Sequence, residues 1–298
     1  MGSDKKKIVF TDIDLDGAVS YLYLCWVSGT QLPVITTRVN DFKSSFQGWL
    51  KWHDPSNYDQ IYILDLDVSQ DALELVDLPN VVIIDHHDTH VQNKHLYKNA
   101  KTFITEKTSC ARHIYDLFKN KTTIADEQKF LVLLADDYDC YKLQLPQSHE
   151  LNLLYWNYQG DKLVKFRNDF NDGFFGFTED QQKTIKFYKR SIELVISELQ
   201  LHSATIPING KTYTCISTFA SKHINDVADY ILKQTGADIG FVVNLETHKV
   251  SLRRSKDTDI HLGNLAKSLL DGGGHEYAAG GLLNDKFMQF SKLFSPYK

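Results

Sequence analysis

The stretch Val81-Val82-Ile83-Ile84-Asp85-His86-His87 decides the fold of this chain. Its first four residues are β-branched and apolar, which is typical of a strand buried on both faces of a parallel sheet. The apolar run stops at one acid and two imidazoles. Ligands of open α/β sheets bind outside the carboxyl ends of the strands, so the stretch predicts a ligand or metal site there. A buried strand followed by an ordinary polar turn is the alternative.

Two earlier apolar stretches end in the same kind of residue. Ile8–Phe10 runs into Thr11-Asp12-Ile13-Asp14-Leu15-Asp16-Gly17, and Ile61–Leu64 runs into Asp65. Helical patterns separate these stretches, and this alternation predicts βαβ units and a parallel sheet. Closely spaced carboxylates repel one another, so a hard divalent cation is their natural partner. A solvated acidic turn or a helix cap is the competing interpretation.

The composition limits the functions that this chain can have. Its 298 residues are enough for two domains, and 42% hydrophobic with 24% charged residues is ordinary for a globular protein. A net charge of −5 argues against coating long duplex nucleic acid but not against a short phosphorylated substrate. The four widely spaced cysteines favour a reducing, cytoplasmic location, and without an apolar run of about 18 residues no membrane partner is expected.

The rest of the chain predicts helices followed by a second α/β domain. A helix over 126–134 ends just before an acidic cluster that contains Asp136. A long helix over 178–201 would connect the domains, which we predict at 1–190 and 203–298. The fold class is therefore α/β, with an N-terminal parallel-sheet domain, a helical connector and a smaller C-terminal α/β domain.

Two further segments allow more than one interpretation. Residues 151–177 are rich in aromatic side chains, which could stack on bases but more often pack between helices. Gly272-Gly273-Gly274-His275 could bring backbone N–H groups close to a phosphate, with Arg253 as a cationic partner, or could form a flexible hairpin. We favour core packing for the first segment and an anion pocket for the second.

In this combination the chain resembles the DHH phosphoesterase superfamily over nearly its whole length. Asp85-His86-His87 is similar to the motif that names the superfamily. The segment from Gly272 to Gly280 and the strand Val250-Ser251-Leu252-Arg253 are similar to its associated C-terminal domain. Asp65 and Asp136 stand where the superfamily has further metal-ligating acids. The order and spacing of these motifs are more specific than any one of them.

The resemblance implies a site with two Mn²⁺ ions, or Mg²⁺ in their place. Asp65 would bridge the ions, Asp85 would orient an imidazole, and His87 would contact the scissile phosphate. Arg253, Gly273, Gly274 and His275 would bind the substrate. The implied metal ligands are Asp12, Asp14, Asp16, Asp65, His86 and Asp136.

One position departs from many members of the superfamily. Asp12 stands where nanoRNases begin their first motif with His, and this substitution looks more like the RecJ single-strand exonucleases. Asp is an adequate oxygen ligand for Mn²⁺, but Asp12 could equally support a neighbouring ligand. The two-domain length is closer to the nanoRNase and oligoribonuclease-like branch.

The predicted function is a Mn²⁺-dependent phosphodiesterase that converts short oligonucleotides or single-stranded nucleic acid to mononucleotides. A cyclic-dinucleotide phosphodiesterase and a bisphosphonucleotide phosphatase are the enzymatic alternatives. A metal-free scaffold in replication is the alternative from another class, although every expected metal position holds a competent ligand. The expected partner is an oligonucleotide or single-stranded nucleic acid, and the chain could form a homodimer.

Overall fold

The computed structural model describes residues 6–208 and 210–297. The chain divides into two compact units, the first ending at Ile185 and the second beginning at Lys186. The predicted α/β fold class, with a parallel sheet in the N-terminal part, is confirmed. None of the helices in the described ranges is both long enough and apolar enough to cross a membrane.

The first unit is built on a five-stranded sheet in which every pairing is parallel. The strands lie in the order β2-β1-β3-β4-β5. Their bounds are β1 Lys7–Thr11, β2 Val34–Thr36, β3 Gln60–Leu64, β4 Val81–Asp85 and β5 Lys101–Ile104.

Helices connect and cover these strands. They are α1 Leu15–Ser28, α2 Val39–Leu50, α3 Leu73–Val76, α4 Asp88–Asn93, α5 Cys110–Phe118, α6 Asp126–Asp139, α7 Pro146–Asn157 and α8 Lys162–Phe170. The next helix, α9 Glu179–Ser197, spans the boundary between the two units. Helix α6 continues five residues beyond the predicted end at 134, and this extension carries the acidic cluster as part of the helix.

The central strands are buried on both faces, as the apolar run in β4 predicts. Val82 and Ile84 pack into one hydrophobic cluster, and Val81 and Ile83 pack into a second cluster on the other face. Successive side chains of a strand point to opposite faces, so this alternation places a core on each side of the sheet. Leaving so apolar a strand exposed would forfeit roughly 1.5–3 kcal/mol per large side chain.

The aromatic segment mainly forms core, as predicted. Tyr155, Phe166 and Phe170 are buried against α1 and its neighbours in the first cluster. Trp156 and Phe175 differ, because 40% and 73% of their surfaces are exposed.

The second unit contains a seven-stranded mixed sheet in the order β10-β11-β9-β8-β7-β6-β12. Its pairings are antiparallel except for that of β7 with β8. Its elements are β6 His202–Ile208, β7 Lys211–Phe219, α10 Ile224–Thr235, β8 Ile239–Asn244, β9 Lys249–Arg254, α11 Leu262–Leu270, β10 Gly273–Gly274, β11 Ala278–Leu282, α12 Asp285–Ser291 and β12 Ser295–Pro296.

Gly17, in the first turn of α1, is needed for a close backbone approach. A Cβ atom at this position would lie 2.5 Å from the carbonyl oxygen of Asp12. We expect Gly17→Ala to lower the free energy of unfolding by about 1–3 kcal/mol, since backbone atoms must shift to relieve the overlap. Urea denaturation followed by circular dichroism measures this change.

Gly48→Ala is the matched control for that substitution. Gly48 lies in α2, and a Cβ there meets no atom within 4 Å. This variant should be as stable as the parent or gain up to about 1 kcal/mol, because alanine favours helix more than glycine does. Equal stability of the two alanine variants would contradict the close approach at Gly17.

Candidate metal centre

The candidate site lies at the carboxyl edge of the parallel sheet, where the strand order reverses. From β1 the chain moves to β2 on one side and then returns to β3 on the other. Such a reversal opens a crevice at the carboxyl ends of the two strands, and α/β proteins commonly bind ligands there. Asp12 and Asp14 follow β1, Asp65 follows β3, and Asp85-His86-His87 ends β4. Three strand ends thus deliver carboxylates or imidazoles to one place.

Three carboxylates surround the imidazole of His86. Its Nε2 lies 3.2 Å from Asp65 Oδ1, 3.4 Å from Asp139 Oδ2 and 3.9 Å from Asp16 Oδ2. His86, Asp16 and Asp65 are buried, and Asp139 is largely buried. The structure therefore brings together Asp16, Asp65 and His86, which were predicted as ligands, and adds Asp139.

Asp139 carries an unsatisfied buried oxygen. No hydrogen-bond donor among the described residues reaches its Oδ2 in bonding geometry. A buried acceptor without a donor costs roughly 1–3 kcal/mol, and more when it is charged. A divalent cation between Asp139, His86 and Asp16 would remove this cost, because hard cations prefer carboxylate oxygens and accept imidazole nitrogen. The donor set therefore fits a metal ion.

Asp136 makes other contacts. Its Oδ1 accepts the backbone N–H of Ser109 at 3.0 Å, and its Oδ2 pairs with the ammonium of Lys142. Because α6 continues to Asp139, both acids lie on this helix, three residues apart. The carboxylate of α6 that lies beside His86 is Asp139, which our sequence interpretation did not single out. In the sequence, Asp139 could be recognised only as one of several acids in the cluster that contains Asp136.

Asp16 is held by the N-terminus of α5. Its two carboxylate oxygens accept the backbone N–H groups of Cys110 at 2.7 Å and Ala111 at 3.0 Å. Ser109 caps the same helix by accepting the N–H of Arg112 at 3.3 Å. Helix N-termini stabilise negative charge, so α5 fixes a buried carboxylate in position without neutralising it.

The loop between β1 and α1 positions Asp12 and Asp14. Asp14 caps α1 by accepting the N–H of Gly17 at 2.9 Å. The hydroxyl of Tyr155 donates to the carbonyl of Ile13 at 2.8 Å, which ties the centre of the loop to α7.

Asp85 binds two imidazoles, and one of its carboxylate oxygens also lies within 4.8 Å of an oxygen of Asp65. Its Oδ1 accepts from His87 Nδ1 at 2.8 Å, and its Oδ2 accepts from His90 Nδ1 at 2.6 Å. The other nitrogen of His90 contacts the hydroxyl of Tyr97 at 2.8 Å. His90 is fully buried and was missed from the sequence, because it lies one helical turn beyond the Asp-His-His motif.

These contacts set the charges of the motif. Burial alone would raise the pKa of Asp85, but the two imidazoles hold it well below its ordinary value. Burial alone would lower the pKa of His87, but the charge of Asp85 and its hydrogen bond raise it to about 10. At neutral pH His87 is therefore a cation whose Nδ1 proton is held by Asp85.

The surrounding acids have raised pKa values. Burial is the largest cause for Asp12, Asp16, Asp65 and Asp139, and the charge of Asp14 adds to it in each case. The pKa of Asp12 rises to about 7. Buried carboxylates that repel one another in this way are typical of a site that holds a cation.

In the second unit, the residues predicted to bind substrate lie near the glycine-rich hairpin. Arg253 in β9 donates to the side chain of Asn225 at 2.8 Å, and its buried Nε has no partner among the described residues. A Cβ on Gly274 would lie 2.6 Å from the carbonyl oxygen of Ala278, so this glycine serves close strand packing. A Cβ on Gly273 would meet no atom within 4 Å, so this glycine leaves the backbone open to a ligand.

The neighbouring Arg254 has a structural role. It is buried, pairs with Glu276 and lies 4.0 Å from the ring centre of Tyr277. These contacts fix the turn between β10 and β11, which also carries His275.

Comparison with known proteins agrees with this architecture. Residues 211–296 match the DHHA1 domain family. The second unit contains a DHHA1 domain. No curated protein matches the chain in sequence.

Solved structures share the fold over nearly the whole chain. A pGpG-specific phosphodiesterase, PggH from Vibrio cholerae, is 13% identical with a TM-score of 0.58, over 97% of this chain and 96% of that one. An exopolyphosphatase-related protein from Bacteroides fragilis is 18% identical with a TM-score of 0.55, over 98% and 92%. Exonuclease RecJ bound to manganese is 14% identical with a TM-score of 0.56, over 97% and 88%. The predicted resemblance to the DHH superfamily is thus confirmed for the DHHA1 domain and for the fold.

The raised pKa values predict an unusual pH dependence of stability. Without metal, these four acids bind protons more tightly in the folded chain than in the unfolded chain, so stability falls as pH rises from about 4 toward the folded pKa values, about 7 for Asp12. His87 acts in the same direction between its ordinary pKa of 6.5 and about 10. We expect the Tm in EDTA to fall between pH 5 and pH 8, and Mn²⁺ to raise it more at pH 8.

Differential scanning fluorimetry at fixed ionic strength measures both effects. Na⁺ at matched ionic strength controls for screening of surface charge. A Tm in EDTA that rises from pH 5 to pH 8, or a Mn²⁺ effect of the same size at both pH values, would contradict the assigned cluster.

Proposed function

We propose that this chain is a metal-dependent phosphodiesterase that hydrolyses short oligonucleotides to mononucleotides. The observation that carries the proposal is the convergence of Asp16, Asp65 and Asp139 on the buried Nε2 of His86 at the carboxyl edge of the sheet. Such a cluster is costly for folding unless it holds cations, and divalent cations are the usual means of activating a phosphodiester.

The likenesses support this enzyme class and this substrate class. PggH is named for a linear dinucleotide, pGpG, and the RecJ structure holds manganese. Both share the fold over nearly all of this chain. Fold alone does not fix chemistry, and the buried donor set of this chain is the independent support.

We assign two divalent cations to the donor set, with Mn²⁺ as the expected metal. Asp12 and Asp14 would hold one ion, Asp65 would bridge the pair, and Asp139 would join Asp16 and His86 at the other. This assignment replaces Asp136 by Asp139, since Asp136 is engaged by Ser109 and Lys142. When bound, such ions supply a nucleophile at neutral pH and stabilise negative charge on the phosphate.

His87 would supply a proton and positive charge on the substrate side. Its Nδ1 is held by Asp85, and its Nε2 would donate to a phosphate oxygen. The raised pKa of about 10 keeps this donor charged at neutral pH. His90 and Tyr97, on the far side of Asp85, fix the orientation of that carboxylate and through it the ring of His87.

The DHHA1 domain would contribute substrate binding. Arg253 would bind a phosphate, and Gly273 and His275 would lie against the terminal nucleotide, as the resemblance implies. The open space at Gly273 and the buried, unsatisfied Nε of Arg253 support these roles. Gly274 would act indirectly, by allowing the strands of the hairpin to pack closely.

A substrate series tests the function. With Mn²⁺, the parent should release mononucleotides fastest from dinucleotides and other short RNA or DNA oligomers, and more slowly from 20-mers. Cyclic dinucleotides are included because the cyclic-dinucleotide phosphodiesterase alternative predicts them as the preferred substrate. A 3′,5′-bisphosphorylated nucleotide is included because the phosphatase alternative predicts it as the preferred substrate. Asp65→Asn should lower the rate by at least about 1,000-fold, comparable with the loss of a central group in other active sites.

Asp41→Asn is the matched control, since Asp41 lies in the first turn of α2 and is exposed. It should keep the parent rate. Retained Mn²⁺-dependent hydrolysis in Asp65→Asn would overturn the two-cation assignment. A parent that binds no Mn²⁺ and hydrolyses none of the series would favour the scaffold alternative.

The choice of Asp139 over Asp136 predicts different metal affinities for two neighbouring variants. Asp139→Asn should weaken Mn²⁺ binding by about 100-fold or more, since even partners behind a metal ligand typically contribute 10- to 100-fold. Asp136→Asn keeps an acceptor for Ser109 and should cause a much smaller loss of affinity. Titration calorimetry with Mn²⁺ at pH 7.5 measures both. The reverse order of the two affinities would restore Asp136 as the ligand.

A further inference from the structure

A cavity lies beside the loop that carries Asp12 and Asp14. Its volume is about 400 Å³, which is within the range of small-molecule sites. The cavity combines two cationic side chains with an exposed aromatic ring. Its walls are formed by Ile13, Thr36, Arg38, Tyr155, Trp156, Gly160, Asp161, Lys162 and Leu163.

The two cationic side chains of this cavity lie where positive charge is electrostatically unfavourable. Arg38 immediately precedes α2 and Lys162 is the first residue of α8, so both stand at helix N-termini, where positive charge is unfavourable. Neither forms an ion pair with a described residue. Burial and the charge of Arg38 lower the pKa of Lys162. A bound anion would offset all of these unfavourable terms.

The one acid in the cavity wall is already engaged. Asp161 caps α8 by accepting the N–H of Val164 at 3.0 Å. Lys162 also has a local contact, because its ammonium donates to the carbonyl of Trp156 at 2.9 Å. Arg38 is exposed and has no such contact, so it is the group most available to a ligand.

Trp156 supplies an aromatic surface at the same place. It is 40% exposed, whereas the adjacent Tyr155 is buried in the core. The ammonium of Lys162 lies 4.5 Å from the ring centre. An exposed indole next to phosphate-binding cations is a common means of holding a nucleotide, since bases stack on aromatic rings.

The cavity shares its wall with the candidate metal centre. Ile13 lies between Asp12 and Asp14, and its carbonyl accepts the hydroxyl of Tyr155 at 2.8 Å. A ligand in the cavity would therefore lie beside the loop that presents these two carboxylates.

We propose that this cavity binds a nucleotide unit of the substrate, with its phosphate on Arg38 and Lys162 and its base against Trp156. The inference rests on the proposed function for its place in the reaction, since the bound unit would be the one adjoining the scissile bond. The cavity volume of about 400 Å³ suits a single nucleotide unit. Stacking, rather than base-edge hydrogen bonds, would make it tolerant of sequence.

Binding to metal-free protein tests the site without relying on catalysis. Protein in EDTA is titrated with AMP by calorimetry at low ionic strength, in an Arg253→Ala background that removes the nucleotide binding expected of the DHHA1 domain. Arg38→Gln should weaken AMP binding by about ten-fold or more, the effect of losing one charge-assisted hydrogen bond. Trp156→Leu should weaken it by about five-fold or more and abolish quenching of tryptophan fluorescence.

Two exposed residues provide matched controls. Lys165→Gln removes a cation from α8, and Trp52→Leu removes an indole that is 86% exposed elsewhere. Both variants should bind AMP as tightly as their parent. Binding of inorganic phosphate should be weakened by Arg38→Gln but not by Trp156→Leu. This difference distinguishes the position of the phosphate from that of the base.

The outcomes distinguish this inference from the proposed function. AMP affinity unchanged in both Arg38→Gln and Trp156→Leu would overturn the nucleotide site, whatever the enzyme hydrolyses. If Arg38→Gln weakens AMP binding but Trp156→Leu binds AMP as tightly as its parent, the proposed position of the base against Trp156 is wrong. AMP binding as expected in a chain that hydrolyses no oligonucleotide would support the site and overturn the proposed function. In an active enzyme, Arg38→Gln should raise KM for a dinucleotide more than it lowers kcat.

Discussion

The N-terminal unit depends on one constraint: several carboxylates that repel one another are held close together and away from water. Asp16, Asp65 and Asp139 surround one buried imidazole, and burial and mutual repulsion raise the pKa of each acid. The α5 N-terminus compensates one of them, because two N–H groups bind Asp16. Among the described residues, no donor forms a hydrogen bond with Asp139 Oδ2, although His86 Nε2 lies 3.4 Å away. A fold that retains this arrangement is organised around positive charge supplied from outside the chain.

The scaffold around the cluster is built to hold it rigidly. The β1 end is fixed from three directions: Gly17 packs against Asp12, Asp14 caps α1, and Tyr155 binds Ile13. The β4 end is fixed differently, since Asp85 is turned toward His87 and His90. His86 and His87 thereby contact different carboxylates, although they are neighbours in the motif. The acid that opens the motif orients imidazoles, and acids from other elements supply the negative charge.

The glycine-rich hairpin of the DHHA1 domain illustrates how one pattern can carry two physical roles. Gly274 has φ of 138° and allows no Cβ, because the neighbouring strand is too close. Gly273 is adjacent in sequence but borders open space. The adjacent arginines Arg253 and Arg254 also have different surroundings. Arg254 is buried against Glu276 and Tyr277, whereas Arg253 contacts Asn225. Alternation of side chains along β9 sends successive arginines to opposite faces of the sheet.

The sequence by itself determined the fold class, the strand ends that form the site, and most of its residues, because apolar runs and their polar ends are local in the chain. The two-sided burial of Val81–Ile84 follows directly from its composition. The tertiary structure alone placed Asp139, rather than Asp136, beside His86, because this placement depends on where α6 ends and how it packs. The same holds for His90, whose role exists only through its contact with Asp85, and for Trp156 and Arg38, which meet at one cavity from distant parts of the chain. Local patterns predict which elements form and where they end, whereas long-range packing decides which neighbouring side chain faces the site.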